Sequence, residues 1–144
     1  MFNQDVEQRL NSWLELRKRI EVSENPLENV WDFFQSSPFT PYNRKINPYN
    51  PQSWPTPWEI VADNVYDDFT KALIISQTLK MTKRFRNSAI LIKTILDLTE
   101  KIEYNLVYIE DTWVINYCDN GPITIDEMTS SFEIENIVEV TCPR

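Results

Sequence analysis

Residues 89–96 read Ala89-Ile90-Leu91-Ile92-Lys93-Thr94-Ile95-Leu96. The run is β-branched and apolar on both faces, the pattern of a central strand covered from two sides. Downstream, a turn at 98–101 leads to Ile102, Tyr104, Leu106 and Tyr108, which alternate with Glu103, Asn105 and Val107 as in a half-buried strand. Glu110-Asp111 is a tight connection to a strand over 112–118, which sets Trp113, Ile115 and Tyr117 on one face. Asp119-Asn120-Gly121-Pro122 is the clearest turn, because Asn-Gly suits a two-residue hairpin. Short strands over 123–125 and 132–140 complete an antiparallel meander.

Upstream of the strand, the spacing predicts a main helix over 65–85, with Val65, Phe69, Ala72, Leu73, Ser76 and Leu79 on one face, widened by Ile74 and Ile75. Asp67 and Asp68 suit its positive end. Lys80, Lys83, Arg84 and Arg86 suit its negative end. Thr56-Pro57-Trp58-Glu59 is a capping box that opens a short helix ending near Asp63. At the N-terminus, Val6, Leu10, Trp13 and Leu14 define one face of a helix over 3–20, and Arg17, Lys18 and Arg19 occupy its last turn. Asn25 as cap, Pro26 at the first position and Glu28 as reciprocal partner start a second helix, striped by Leu27, Val30, Trp31 and Phe34.

Between the helices lies a different composition. Six prolines (Pro38, Pro41, Pro48, Pro51, Pro55 and Pro57) interleave with Phe39, Tyr42, Tyr49 and Trp54. Proline removes donors and fixes φ, so no helix or inner strand runs through this stretch. Rings and prolines together predict an ordered strap, laid on its own core or gripping a neighbour. The whole chain, 1–144, is then a single α+β domain: a helix pair over 1–35, a Pro/aromatic strap over 36–56, helices over 57–86 and an antiparallel sheet over 87–144.

Composition excludes much chemistry. The 144 residues include one glycine and no histidine. The first removes glycine-rich phosphate loops; the second removes the commonest general base and metal ligand. Net charge is −8, and residues 101–144 hold two basic against nine acidic side chains, a local −7. Such a surface repels phosphate, so neither nucleic acid nor an anionic membrane is expected as a partner. No run reaches the roughly 18 apolar residues that span a bilayer. Met1-Phe2-Asn3-Gln4-Asp5 has no leader character, and Cys118 and Cys142 lack metal or redox spacing; a reduced, non-secreted protein in a host cytoplasm or a virion is expected. A bridge between the two cysteines is permitted but not demanded.

Two groups of side chains have catalytic potential. Asp63 and Asp67 share a face if the two helices are continuous, and with Asp68 they would then hold a hard cation, though calcium-loop spacing is missing. Helix N-terminal acids favoured by the dipole are the simpler account. Cys118 stands beside Asp119, an acid that would raise a thiol's pKa, so a small buried apolar role fits it better than that of a nucleophile.

Ile102-Glu103-Tyr104-Asn105-Leu106-Val107-Tyr108-Ile109 followed by Trp113-Val114, behind a capped helix, resembles the core of transglutaminase-like, papain-related domains over residues 57–118. The resemblance implies that a cysteine nucleophile would fall near Asp67 or Asp68, a histidine at Ile102 and an acid near Tyr117. None of these groups is present, which implies an inactive relative that retains the scaffold. The short, Asn- and Ile-rich chain with its aromatic arm also looks like proteins of tailed bacteriophages. The expected function is therefore that of a non-enzymatic structural or interaction protein of a phage particle. It would contact other protein subunits through Phe39, Tyr42, Tyr49 and Trp54, with no cofactor, no metal and no catalytic residue. The alternatives are a hydrolase relic using Cys118 or the three aspartates, and an acidic adaptor or inhibitor of a basic partner.

Overall fold

A computed structural model of the chain describes residues 1–42, 46–117, 120–128 and 131–143. It is an α+β fold. The helices are α1 (Val6–Val22), α2 (Pro26–Phe34), α3 (Pro57–Asp63) and α4 (Asp68–Lys80); the strands are β1 (Ile90–Asp97), β2 (Glu103–Ile109), β3 (Trp113–Ile115), β4 (Ile123–Thr124) and β5 (Phe132–Glu139). All strand pairs are antiparallel, in the order β4-β3-β2-β1-β5. The first four form the expected meander. β5 departs from it: it crosses to the far edge and pairs with β1, which places β1 inside the sheet. Ile125 and Met128, on the way to β5, and Phe132 at its start pack on the outer face of the sheet against Ile95, Leu106, Tyr108, Val114 and Tyr117. This explains why β1 is apolar on both faces: Ile90 and Ile92 join the helical core, and Ile95 joins the outer cluster.

Helix α4 is the buried centre. It touches β1 and β2 on one side and α1, α2 and α3 on the other. Every residue from Phe69 to Lys80 except Lys71 is buried. Its buried hydroxyls are satisfied within the helix, Ser76 Oγ donating to the Ala72 carbonyl (2.8 Å) and Thr78 Oγ1 to that of Ile74 (2.6 Å). Thr78 Oγ1 also accepts from Trp13 Nε1 (2.9 Å), fixing α1 over α4.

Several local expectations need correction. The main helix spans 68–80, not 65–85: Asp67 is its N-cap, accepting from the Thr70 N–H (2.7 Å), and Val65 is exposed. Lys83, Arg84 and Arg86 lie beyond it. There the Glu21 carboxylate accepts the Lys83 and Arg84 backbone N–H groups (3.0 Å each), which lowers its pKa. The buried face of α1 is Arg9, Trp13, Leu16 and Ile20, while Val6 and Leu14 are exposed. The face is turned because Arg9 is drawn inward, its guanidinium donating to the Val61 (3.2 Å) and Ala62 (2.8 Å) carbonyls at the end of α3. A cation suits that negative helix end, a reason invisible to apolar spacing. The capping box at Thr56–Glu59 forms as read, whereas the Asn25 side chain makes no cap bond.

The expected Asn-Gly hairpin does not form. Gly121 has no positive φ, and β3 and β4 pair through Trp113↔Thr124 and Val114↔Ile123, too far apart in the chain for a two-residue turn. Gly121 is required for space instead: a Cβ there would sit 3.0 Å from Trp31 Cδ1. The strand expected over 112–118 ends at Ile115 because Asn116 adopts φ 76°. Ile115 therefore faces the helical core and Tyr117 the outer cluster, rather than sharing a face with it.

Candidate functional site

The strap is tied to its own domain at several points. Ile46 is buried in the main core, and Trp54 packs on it beside Phe69, with ring centroids 5.6 Å apart. The Trp54 indole N–H donates to the Asn47 carbonyl (2.7 Å). Phe39 forms an isolated parallel bridge with Tyr66, and the Thr40 N–H donates to the Tyr66 carbonyl (2.8 Å). Between these ties, Phe39, Tyr42 and Tyr49 are 75%, 66% and 67% exposed. Of the four rings expected to meet a partner, three point to solvent and Trp54 serves as an internal anchor.

The exposed rings line a cleft. Two cavities, of about 490 and 340 Å³, both have Phe39, Asp67 and Asp68 in their walls. The smaller also takes in Tyr42, Tyr49, Thr94, Glu103 and Asn105. Beneath them is a polar group that the sequence reading missed. Asp68 Oδ2 accepts from the Asn105 N–H (2.8 Å) and from Asn105 Nδ2 (3.0 Å), and Asp68 Oδ1 accepts from Asn116 Nδ2 (3.0 Å). Thr94 Oγ1 donates to Asn105 Oδ1 (2.8 Å), and Asn116 Nδ2 also donates to the Asn105 carbonyl (3.0 Å). Helix α4 supplies the acid, β2 one amide and the end of β3 the other. An asparagine inside an alternating strand was the only signal available.

Burial raises the Asp68 carboxyl above its ordinary value; the Asn105 and Asn116 hydrogen bonds and the charge of Lys71 oppose this without cancelling it. Glu103, at the rim, is also raised, first by burial and then by Glu135 and Asp68.

The residues picked out by the transglutaminase-like resemblance fall unevenly around this group. Asp67 caps α4 and Asp68 is its first residue. Ile102 lines the larger cavity, but the groups that meet Asp68 are Asn105 and Asn116. Asp63 and Asp67 do not lie on one continuous helix, since Asn64, at φ 57°, ends α3 between them. Among the described residues no three potential ligand side chains come together to hold a metal ion. Cys118 lies outside the described residues, and Cys142 is exposed. Among the described residues no helix is long and apolar enough to cross a membrane. Comparison with known proteins finds no matching family model, no matching curated protein and no matching solved structure.

Proposed function

We propose that the chain is a non-enzymatic interaction protein, a component of a phage particle, that grips a neighbouring protein subunit with Phe39, Tyr42 and Tyr49. The observation that carries this reading is the exposure of those three rings, 75%, 66% and 67%, on a strap whose backbone is pinned by Ile46 and Trp54. Three large rings held in solvent gain nothing for the isolated fold. They offer a pre-ordered apolar surface whose burial on a partner costs little further chain entropy. The style resemblance to tailed-bacteriophage proteins supports placing that partner in a particle.

The test is the triple variant Phe39→Ser/Tyr42→Ser/Tyr49→Ser, expressed in the native setting and isolated at low salt. Light scattering of the wild-type protein is expected to give a complex heavier than one chain, and the variant is expected to lose it while keeping its melting temperature. A variant that assembles like the wild type would refute the reading, as would a wild-type protein that is always a lone chain.

A further inference from the structure

A second cleft lies away from the strap, where the linker between α1 and α2 faces the β2–β3 hairpin. Its volume is about 430 Å³, within the range of small-molecule sites. Leu27, Phe85 and Trp113 supply apolar walls, and Trp113 is 40% exposed there. Glu24, Glu28 and Glu110 supply carboxylates from two segments, the α1–α2 linker with the start of α2 and the β2–β3 turn, and none of the eleven lining residues is basic. Arg84, which is not among the lining residues, stands over the Phe85 ring at 6.0 Å and donates to the Ile20 and Ser23 carbonyls.

Glu110 is held in place. It and Asp111 occupy the hairpin turn at φ 54° and 51°, and its Oε1 accepts the Ala89 N–H at 2.8 Å. An apolar wall edged by carboxylates, without a neutralising partner among the lining residues, concentrates negative potential over a low-dielectric surface. It complements a body that is apolar at one end and positive at the other. Aromatic faces add their own attraction for such a cation.

We propose that this cleft binds a small organic amine, an ammonium group carried on an aromatic or aliphatic body, with the body against Leu27, Phe85 and Trp113 and the charge among Glu24, Glu28 and Glu110. The site is separate from the strap and does not depend on the strap's role.

Three probes of similar shape test it: 4-phenylbutylammonium, 4-phenylbutanol and 4-phenylbutyrate, titrated into the ¹⁵N-labelled full chain. The amine is expected to shift the Trp113 indole N–H and the Leu27 and Thr112 amides saturably, binding about tenfold more tightly than the alcohol, a difference of about 1.4 kcal/mol. The carboxylate is expected to bind more weakly still. Glu24→Gln/Glu28→Gln, both on exposed side chains, is expected to weaken the amine about fivefold, leave the alcohol unchanged and keep the dispersed spectrum of the folded protein. Equal binding of amine and alcohol would overturn the proposal. So would shifts centred elsewhere, or no saturation up to about 10 mM.

Discussion

Removing the Asp68 carboxylate tests how the helical layer is joined to the sheet. In Asp68→Ala three hydrogen bonds to a charged acceptor disappear, from the Asn105 N–H and from the amide groups of Asn105 and Asn116. Bonds of this kind are worth about 1.5–3 kcal/mol each. The lower figure applies here, because the neighbouring cavity admits water to the abandoned donors, giving about 4.5 kcal/mol. Against this stands about 1–2 kcal/mol regained because a carboxylate is no longer buried. The net loss is about 3 kcal/mol, or about 10 °C in melting temperature for a chain of this length. Asp68→Asn keeps the shape and removes the charge, and falls between wild type and Asp68→Ala. The pH dependence has a definite sign. Burial raises the folded-state pKa of Asp68, so the folded chain binds its proton more tightly than the unfolded chain does. The wild type therefore gains stability as pH falls through that raised value, and the gain is complete below the ordinary carboxyl value of about 4. Neither variant has this gain, so the gap to wild type widens between neutral and mildly acid pH. Urea unfolding of the three proteins at several pH values reads both quantities. A loss below about 1 kcal/mol for Asp68→Ala, or a gap that narrows toward acid, would show that this cluster does not hold the layers together.

Two further substitutions probe features that differ in sign. Arg9→Met keeps the bulk and removes a buried guanidinium that donates to the end of α3; denaturant unfolding is expected to show a loss of about 2–3 kcal/mol. Asp111→Gly relieves a residue held at φ 51° without touching the Glu110 side chain, and a melting temperature about 2–4 °C higher is expected, from a gain of about 1 kcal/mol.

Local chemistry was enough to place the elements whose determinants are neighbours in the chain. The Thr56–Glu59 box closes within one turn, and its partners are three residues apart. The alternation of Tyr104, Leu106 and Tyr108 selects one sheet face, but the strand is not half-buried as expected, because Val107 and Ile109 on its other face are buried in the helical core. The all-round apolar character of 89–96 required cover on both sides, and both covers exist.

What the chain could not reveal locally depends on groups brought together from far apart. The face of α1 was turned by Arg9 reaching carbonyls more than fifty residues away. Gly121 serves the packing of Trp31, ninety residues earlier in the chain, rather than a tight turn. The amide partners of Asp68 stand 37 and 48 residues from it, so no spacing rule joins them. The division of the strap into anchors and exposed rings was decided in the same way. Prolines and rings alone specify an ordered, irregular segment, because proline's fixed φ and missing donor act within one residue. Which rings turn inward is settled only by the tertiary surface, where Phe69 offers Trp54 a partner, while among the described residues Phe39, Tyr42 and Tyr49 stay exposed.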